Sequence, residues 1–555
     1  MNVLGMNAVF HDSSSTLVVD GRILAAAEEE RFSRRKHGKP CVPFSTWELP
    51  SASAMWALQF ADLHPQDVDV VAYSYDPDLA PASSADITES EWEGLRTLFA
   101  RRFPNFLRTA LPGIERAKVE FVPHHVAHAA SAYLAAPYER CAVLVLDGRG
   151  ESTSGLLGVA RAGNLHVLAT IKLPHSLGLL YEELTAHLGF HRSSDEYKVM
   201  GLAGYGRPRF LERFRELVHV DAPAFTVAPI DLAEFAPRRR DGDAFENEHA
   251  DLACSVQHRL EEVILDLARW LAAETGEKSL VMAGGVALNC VANARLAAEG
   301  PFERVWVQPA AGDAGTSLGA ALYAAHKHGD RVSPMTTAAL GREWNDESLE
   351  RWLKTARIPY ERSNDIARDV AQTIAGDGIV AWFQGRSEFG PRALGHRSLL
   401  ANPRFAKNLE RLNDVKGREQ FRPVAPMVLS ERAGDIFIGQ LPSPYMLFTH
   451  RVRAEWRERI AAAVHVDGSA RIQTVDRDDE PLVARMLDDV ERLTGTPVVI
   501  NTSLNTAGRP MVDDVRDALE CFGSAPIDLL AIGPFAIRRP RAYVSSRSEE
   551  LAAAP

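Results

Sequence analysis

Cysteine is scarce in this sequence, with five residues in 555, and the five are widely separated and form no CxxC pair. Disulfide frameworks and zinc ribbons need paired or closely spaced cysteines, so this usage indicates reduced thiols and a cytoplasmic location. The first residues show no basic leader followed by a long apolar core, and we expect no secretory signal. Because no stretch is long and apolar enough to span a bilayer, we also expect no membrane partner.

An excess of positive charge is also absent, since the formal net charge is −12. Surfaces that bind the nucleic-acid backbone are usually basic, so we expect no nucleic-acid partner, although a local basic pocket for a small anion remains compatible with this composition. The glycine loops at Gly284-Gly285 and Gly312–Gly319 match neither GxxxxGK[ST] nor GxGxxG. These mismatches argue against P-loop and Rossmann folds.

One order of elements occurs twice in the chain. Residues 3–27 read as an apolar strand, a polar loop, a second strand, an Asp20-Gly21 turn and a third strand. Residues 142–169 return to strand, acidic loop, strand, a Gly163-Asn164 turn and strand. Such turns between apolar runs are typical of hairpins. The repeat predicts a two-lobed α/β fold with a nucleotide or anion cleft between the lobes, as in actin-like proteins; two unrelated hairpins are the alternative.

The chain is too long for one ordinary core, and two domains are expected. A polar stretch around residues 326–343, which contains Pro334 and Gly341, marks the boundary. We therefore predict domains at 1–345 and 346–555. Residues 206–250 carry clusters of proline, arginine and aspartate, which predict an insertion or surface segment.

Three histidines fall within five positions, at His124, His125 and His128. On a helix His124 and His128 lie on one face and could bind one metal ion, whereas His125 points elsewhere. Asp147 ends an apolar strand and Asp313 lies in a glycine loop before a helix, positions from which acids point into the cleft of an open α/β fold. Two histidines with one or two carboxylates suit iron(II), manganese or zinc. The alternatives are a packed helix with one buried histidine, and aspartates that cap helices.

The second predicted domain carries cations on segments bent by glycine and proline. They are Arg386, Arg392, His396, Arg397, Lys416, Arg418 and Arg422, followed by Arg471. A solvated charged face would be more helical and would contain more acids, whereas this arrangement suits bidentate recognition of phosphate and carboxylate. Asn501 and Ser503 follow an apolar strand and add neutral hydrogen-bonding groups. The cluster predicts a phosphate-binding pocket.

Two further features concern the first predicted domain. Each glycine loop precedes a helix, whose N-terminal N–H groups attract phosphate. His11 lies in the first polar loop, where a histidine in the cleft could take a proton from a substrate hydroxyl. From the residues alone, an exposed loop histidine is the simpler interpretation.

Together these motifs resemble the O-carbamoyltransferase family of nodulation-factor and antibiotic biosynthesis, which includes the tobramycin, cephamycin and novobiocin carbamoyltransferases. The matching stretches run in family order from residue 3 to about 535. They are HDSSSTLVVDGRILAAAEEERFSRRKHG, HHVAHAASAY, VLDGRGE, KVMGLAGYG, AGGVALN, GDAGTSLGAA, QGRSEFGPRALGHRSLL, KGREQFRPVAP and NTSLNTAGRPMV. The resemblance implies an actin-like N-terminal domain similar to the tRNA threonylcarbamoyl-transferring protein and a C-terminal domain similar to the YrdC-type fold.

The resemblance also implies a reaction. The C-terminal domain would make carbamoyl-adenylate from carbamoyl phosphate and ATP, the latter with Mg²⁺, and release phosphate and pyrophosphate. The N-terminal domain would then transfer the carbamoyl group to a small-molecule hydroxyl acceptor, foremost a sugar of an antibiotic. Iron(II) is the first expectation for its metal, with manganese and zinc as alternatives.

Family roles can be carried over to positions of this sequence. The implied metal ligands are His124, His128, Asp147 and Asp313, and His11 becomes the implied base, with Asp313 beside it in the catalytic site. The residues implied for adenylate binding are Lys198, Gly284, Gly285 and Asn289. Those implied for ATP and carbamoyl phosphate are Lys416, Arg422, Arg471, Asn501 and Ser503, and the cationic cluster adds Arg386, Arg392, Arg397 and Arg418. Because residues 206–250 depart from the family, the identity of the acceptor is not inferred from any relative.

Three other functions account for parts of the pattern. A sugar kinase on an actin-like scaffold would release ADP, but the HxxxH pair and the cationic second domain argue against it. A nucleotide-dependent chaperone or tRNA-binding partner is disfavoured by the acidic net charge. An enzyme related to tRNA threonylcarbamoylation is disfavoured because that system has the two domain types on separate chains. The sequence leaves the oligomeric state open, and a homodimer is compatible with it.

Overall fold

The N-terminal half of the protein begins with a five-stranded mixed sheet. The structure is a computed structural model that describes residues 1–38, 49–81 and 89–539. The strands of the first sheet are β1 (Asn2–Asn7), β2 (Ser14–Val19), β3 (Arg22–Glu28), β4 (Val70–Tyr73) and β5 (Lys118–Phe121). Their order is β3-β2-β1-β4-β5. Strands β1, β2 and β3 pair with one another in antiparallel fashion, while β4 pairs parallel to β1 and β5 pairs parallel to β4.

A second sheet repeats this plan. The next strands are β6 (Arg140–Leu146), β7 (Thr153–Arg161), β8 (Asn164–Lys172), β9 (Val218–Asp221), β10 (Ala224–Val227), β11 (Ser279–Ala283) and β12 (Arg304–Val307). The sheet has the order β12-β11-β6-β7-β8, whereas β9 and β10 form a separate hairpin. Three antiparallel strands are again followed by two parallel ones. The predicted internal duplication is therefore confirmed.

The second hairpin turn lies one residue earlier than predicted. Asp20 and Gly21 have φ values of 50° and 74°, as expected for the first turn. In the second copy the positive values, 50° and 78°, belong to Ala162 and Gly163, and Asn164 already begins β8. A two-residue hairpin turn of this type needs left-handed backbone at both central positions. The glycine therefore occupies the second turn position in both copies.

Ten helices accompany these sheets in the described part of the N-terminal half. They are α1 (Glu30–Ser33), α2 (Ser51–Phe60), α3 (Glu89–Ala110), α4 (His124–Tyr133), α5 (Leu177–His187), α6 (Glu196–Ala203), α7 (Leu211–Leu217), α8 (Asn247–Thr275), α9 (Cys290–Glu299) and α10 (Ala314–Lys327). Nowhere in the described residues does a helix combine the length and apolarity needed to cross a membrane.

The C-terminal half is a second α/β unit. Its helices are α11 (Asp346–Thr355), α12 (Ile366–Ala375), α13 (Lys407–Val415), α14 (Ser430–Ile436), α15 (Ala454–Arg457), α16 (Pro481–Thr494) and α17 (Val515–Ser524). Its strands are β13 (Glu361–Arg362), β14 (Val380–Phe383), β15 (Arg397–Ala401), β16 (Ala425–Leu429), β17 (Phe437–Ile438), β18 (Thr449–Val452), β19 (Ser469–Arg471), β20 (Gln473–Val475), β21 (Val498–Ser503), β22 (Leu529–Ile532) and β23 (Phe535–Arg538). Eight strands form one sheet, in the order β13-β23-β22-β14-β15-β21-β16-β20, and β17, β18 and β19 form another. The α/β fold class is confirmed, while the likeness to the YrdC-type fold stays a prediction.

The segment at residues 206–250 is more integrated than the predicted surface insertion. It contains α7 and the β9–β10 hairpin, and it leads into α8. Within its arginine run, Arg239 is only 9% exposed. Its guanidinium lies 3.9 Å from the ring centroid of Phe245 and donates a hydrogen bond to the carbonyl of Leu188. An arginine that stacks on an aromatic ring and bonds a carbonyl in this way fixes the segment to the protein, which charge clustering in the sequence does not reveal.

The linker between the two halves carries no regular structure. In residues 328–345, all of which are described, neither helix nor strand occurs between α10 and α11. Apolar clusters form largely on either side of this linker. Phe389 of the C-terminal half crosses the divide, because it is buried in the N-terminal cluster with Ala310 and Leu340. The division at residue 345 stays a prediction that these clusters support.

Helices α4 and α10 touch backbone to backbone. A Cβ atom added at Gly319 of α10 would lie 1.7 Å from the carbonyl oxygen of Ala127 in α4. Only a glycine allows this approach, because any larger residue must push the helices apart. Small neighbours such as Ala127 and Ala320 are fully buried. The contact places the start of α10 close to α4.

We expect Gly319→Ala to lower the thermal unfolding midpoint, at a cost of about 1–3 kcal/mol, because overpacking displaces one helix from the other. Gly434→Ala is the matched control: Gly434 lies in α14, and an added Cβ there would meet no atom within 4 Å. The control should be neutral or stabilising by about 0.5–1 kcal/mol, since alanine favours helix more than glycine. Thermal unfolding followed by circular dichroism measures both, and equal midpoints for the two variants would contradict the contact.

Candidate functional site

Four buried side chains from separate elements converge at the cleft. His124 and His128 extend from α4, Asp147 follows β6, and Asp313 directly precedes α10. The Nε2 atom of His124 lies 3.5 Å from Asp147 Oδ2 and 3.6 Å from Asp313 Oδ1. The Nε2 atom of His128 lies 3.8 Å and 3.5 Å from the same two carboxylate atoms. These ligand atoms all lie within 4.8 Å of one another and could hold a metal ion.

The hydrogen bonds around His124 leave its metal-facing nitrogen free. Its Nδ1 atom lies 3.2 Å from the carbonyl oxygen of Ser74, an arrangement in which Nδ1 carries the hydrogen. Its Nε2 atom has no hydrogen-bond partner, although it is buried, and the same holds for Nε2 of His128. Histidines that bind metals usually donate their other ring N–H to a carbonyl or carboxylate in this way. The orphaned nitrogens and the two carboxylates are therefore a donor set that fits a divalent transition metal.

Glu151 was not anticipated from the sequence, yet it fixes the start of α4. One carboxylate oxygen accepts hydrogen bonds from the backbone N–H groups of His124 and Asp76, each at 2.8 Å. The first N–H groups of a helix have no partner within the helix, so this carboxylate supplies one. Nothing in the local sequence identifies the role, because Glu151 lies 27 residues from His124 along the chain.

The prediction that His125 points elsewhere is wrong. Its Nε2 atom lies 3.8 Å from Asp147 Oδ2, and its Nδ1 atom lies 2.7 Å from Thr153 Oγ1. Helical spacing separates His125 from His124 by about 100°, but Asp147 enters from the side and is within reach of both. The third histidine therefore borders the site.

His11 lies at the mouth of this cluster. Its Nδ1 atom lies 2.9 Å from Asp12 Oδ2, and its Nε2 atom lies 3.8 Å from Asp313 Oδ2. Burial by itself lowers the pKa of His11, but the carboxylates of Asp313 and Asp12 outweigh this effect and raise the pKa to about 10. His11 therefore contacts Asp313, in the loop that precedes α10, and its role as a base stays a prediction.

Opposite charges hold the cluster together. Burial raises the pKa of Asp147, but the neighbouring rings of His128 and His124 more than compensate, so that its pKa lies well below the usual range. Burial likewise opposes ionisation of Asp313, and His11 outweighs it, so its pKa is also lowered. Both carboxylates are therefore ionised at neutral pH, as metal ligands must be.

The first glycine loop supports Asp147. The backbone N–H of Gly285 donates to Asp147 Oδ1 at 2.7 Å. Gly284 has a φ of 93°, and it leads the chain into this contact. Asn289 caps α9 by accepting the N–H of Ala292, and its amide group pairs with that of Gln257. Gly285, Asn289 and Gln257 line the cavity described below, as does Asp147.

Lys198 has a different position from the one its predicted adenylate role needs. Its Nζ atom is 3.0 Å from Asp195 Oδ2 and 2.9 Å from Glu419 Oε1. The side chain therefore connects α6 with the loop after α13 and does not line the cavity. Two carboxylate partners occupy the ammonium group that a phosphate would require.

In the C-terminal half, Arg392, Arg418, Arg422 and Arg471 line one pocket together with Lys416. Among the described residues, Arg422 forms the one ion pair of this cluster, with Glu419 at 3.4 Å. Burial and the nearby charge of Arg471 lower the pKa of Arg392 to about 9, and burial and Arg422 do the same for Arg418. Mutually repelling cations that lack acids are stabilised by a bound anion. The structure thus brings the predicted cations together in one pocket, and phosphate binding by that pocket stays a prediction.

Lys416 joins this pocket to the end of β21. The side chain is 7% exposed, and its Nζ atom donates to the carbonyl and hydroxyl oxygens of Ser503 at 2.6 and 2.9 Å. Burial first, then the charges of Arg418 and Arg422, lower the pKa of Lys416. Asn501 lines the same pocket, and its amide group donates to the carbonyl of Ala393 at 3.1 Å.

Arg386 and Arg397 do not line the pocket. The guanidinium of Arg386 donates to the carbonyls of Gly341, Leu24 and Leu340. Arg397 is fully buried and donates to the carbonyls of Gln384, Arg342 and Gly385. The sequence predicted phosphate contacts here because it shows the charge but not its direction. Both residues bond backbone carbonyls instead.

One cavity of about 930 Å³ connects the two groups of residues. Its lining includes His11, Asp147 and Asp313 of the N-terminal half and Arg392, Lys416 and Arg471 of the C-terminal half, among others. Its ends therefore differ in chemistry, with histidines and acids at one and cations at the other.

Comparison with known proteins finds relatives of this chain over nearly its whole length. Residues 2–322 match the family model described as "Carbamoyltransferase N-terminus", and residues 371–539 match "Carbamoyltransferase C-terminus". The chain is 37% identical to nodulation protein NolNO of Sinorhizobium fredii over 96% of this chain and 80% of that protein. It is 38% identical to nodulation protein NolO of Bradyrhizobium diazoefficiens over 78% and 81%. Among solved structures, the HypF of T. kodakarensis is 17% identical over 59% of this chain and 48% of its own, with a TM-score of 0.33.

We expect the chelator-treated chain to bind one Mn²⁺ ion, and His128→Ala to weaken that binding by about 100-fold or more, because the variant loses a ligand and not merely a ligand's support. His187→Ala is the control, since His187 is also buried but hydrogen-bonds the carbonyl of Ala236 far along the chain. Isothermal titration calorimetry measures both affinities. Equal Mn²⁺ binding by His128→Ala and the unsubstituted chain would contradict the four-ligand site.

Proposed function

The chain belongs to the carbamoyltransferase family, and from that premise we propose that it is an ATP-dependent O-carbamoyltransferase working through carbamoyl-adenylate. Carbamoyl phosphate and ATP, with Mg²⁺, would be the substrates of the C-terminal half. The acceptor would be a hydroxyl of a natural product, foremost a sugar. The predicted domains at 1–345 and 346–555 would each carry one half-reaction.

The single cavity with two chemically different ends is the observation that carries the proposal. The end with Arg392, Lys416 and Arg471 suits the phosphates of ATP and of carbamoyl phosphate. The end with His11 and Asp313 suits transfer to a hydroxyl. Because the cavity is continuous, an intermediate made at one end can reach the other without crossing bulk water, where an acyl-adenylate would hydrolyse.

In the first half-reaction, carbamoyl phosphate reacts with water to give carbamate and phosphate. A carbamate oxygen then attacks the α-phosphorus of ATP, and the bond from that phosphorus to the bridging oxygen breaks, which releases pyrophosphate. The guanidinium groups that line the pocket, together with Lys416, would face these phosphates and compensate the charge that develops on them. Ser503 and Asn505 hold the Lys416 ammonium in place.

In the second half-reaction, the acceptor oxygen bonds to the carbamoyl carbon, and the bond to AMP breaks. A divalent ion, for which we propose iron(II) first and manganese or zinc as alternatives, would be held by His124, His128, Asp147 and Asp313 and would polarise the carbonyl and compensate the leaving phosphate. His11 takes the hydroxyl proton. Since a base must hold a free lone pair, this role requires the charge of Asp313 to be compensated when substrate is bound.

The products distinguish this reaction from phosphoryl transfer. We expect AMP and pyrophosphate to form only when carbamoyl phosphate is present, because the adenylyl group is transferred to carbamate. A sugar kinase on the same scaffold would give ADP. Chromatographic separation of the nucleotides, with ATP alone as the control, measures the ratio, and ADP as the dominant product would overturn the proposal.

Substitutions at the two ends of the cavity should each abolish a different half-reaction. We expect His128→Ala to lose carbamoyl transfer and still exchange labelled pyrophosphate into ATP when carbamoyl phosphate is present. Arg471→Ala should lose that exchange by about 100-fold, because a phosphate contact is removed, and should retain bound metal. Loss of the same half-reaction in both variants would contradict the division of labour.

A further inference from the structure

The loop that carries Arg392 is held by both halves of the protein. We call residues 387–396 the Arg392 loop; they connect β14 to β15. Arg392 lines the cationic end of the cavity, and its Nε atom has no hydrogen-bond partner. The position of its guanidinium therefore depends on the backbone on either side of it.

The N-terminal half forms hydrogen bonds with this loop at Gly390. The backbone N–H of Gly390 donates to Glu28 Oε1 at 2.8 Å, and its carbonyl accepts a hydrogen bond from Arg31 Nη2 at 2.9 Å. Glu28 and Arg31 are 5% and 3% exposed and lie 3.3 Å apart. Both polar groups of one peptide position in the C-terminal half are thus satisfied by a buried ion pair of the N-terminal half.

Two neighbouring contacts add to these hydrogen bonds. Phe389 is buried among apolar residues of the N-terminal half, and its N–H donates to the carbonyl of Ala338 at 2.8 Å. Gly390 has a φ of 112°, and an added Cβ there would lie 3.0 Å from the carbonyl oxygen of Pro309. Pro309 lies four residues before Asp313. The Arg392 loop therefore packs against the segment that leads to the other end of the cavity.

The C-terminal half holds the other side of Arg392. Glu388 Oε1 accepts the backbone N–H groups of Leu394 and His396 at 2.6 and 3.0 Å. Asn501 donates to the carbonyl of Ala393 at 3.1 Å. Arg392 is thus two residues from an anchor that the N-terminal half supplies and one residue from an anchor that the C-terminal half supplies.

We propose that Glu28 and Arg31 are positioning residues for the anion pocket of the C-terminal half, and that they act through Gly390 on Arg392. The inference deepens the proposed function but depends on it only for the identity of the anion. Glu28 and Arg31 also line the cavity, and it follows that the N-terminal half positions a cation, Arg392, that the C-terminal half supplies.

A buried ion pair suits this role better than apolar packing would. Replacing such a pair by apolar residues often leaves stability unchanged or increased, so stability alone does not explain why it is present. Its fixed donors and acceptors instead specify one backbone geometry at Gly390. Removing both charges together avoids leaving either Glu28 or Arg31 unpaired in the interior, and Glu30, which also lies 3.4 Å from Arg31, is the more exposed carboxylate at 15%.

The test measures the binding of pyrophosphate to the full-length chain by isothermal titration calorimetry. We expect Glu28→Gln with Arg31→Met to weaken the affinity by about 10-fold, because the Arg392 guanidinium is displaced, with bound Mn²⁺ unchanged. Gln440→Met is the control, since Gln440 donates to the carbonyl of Val305 and so also connects the halves, but away from the loop. The control should bind pyrophosphate as the unsubstituted chain does.

A merely structural role is separated by combination with Arg392→Met. If the pair acts through Arg392, its removal should change the affinity of Arg392→Met by less than about 2-fold, because the group being positioned is gone. Should the double variant fail to fold, Arg31→Lys replaces it, and it should weaken pyrophosphate binding at least about 3-fold because one amine cannot reproduce the guanidinium.

Three results would overturn the inference. These are unchanged affinity in the folded double variant or in Arg31→Lys, an equally large loss in the Arg392→Met background, and no pyrophosphate binding by the unsubstituted chain. The readout needs no turnover, so a chain that forms no AMP but shows the expected pyrophosphate affinities would refute the proposed function and leave this inference standing.

Discussion

Direct contact between the backbones of α4 and α10 is the constraint on which the rest of the N-terminal site depends. The two helices carry or adjoin three of the four converging ligand residues, and Gly319 lets them meet without an intervening side chain. Their approach places His124 and His128 opposite Asp313, and Asp147 completes the group from the end of β6. The positions of these ligand atoms thus depend on a residue without a Cβ, Gly319, which is not itself one of the four ligand residues.

The two groups of residues differ in charge, and each has polar or charged groups without a full set of partners. At the N-terminal end, buried ring nitrogens lack partners and face two ionised carboxylates, which suits a cation. At the C-terminal end, Arg392 and Lys416 lie beside other cations, and burial together with these neighbouring charges lowers the pKa of both, which suits an anion. Both conditions are costly in an empty site, because buried charges without compensation are destabilising. Residues of both groups line one cavity, an arrangement that suits the two half-reactions proposed above.

The contact between the two halves matters for the proposed chemistry as well as for the fold. Phe389 and Gly390 enter the N-terminal half directly beside Arg392. A loop that is clamped in this way connects the segment before Asp313 to the pocket around Lys416. The buried ion pair of Glu28 and Arg31 therefore helps to hold the two ends of the cavity together.

The sequence by itself determined the succession of strands and turns in the two duplicated segments. It also supplied the candidate ligands His124, His128, Asp147 and Asp313 and most of the cations that line the pocket, because alternation, turns, helical spacing and charges on bent segments are local patterns. The tertiary structure alone decided where those charges point. Arg386, Arg397 and Lys198 resemble their neighbours as residue types, yet each is bonded to carbonyls or carboxylates away from the cavity. His125 and Glu151 border the quartet only because a strand end and a loop approach α4 from elsewhere in the chain. Charge and periodicity are properties of a segment, whereas the direction of a side chain is set by the partners that folding brings to it, and those partners are distant in sequence.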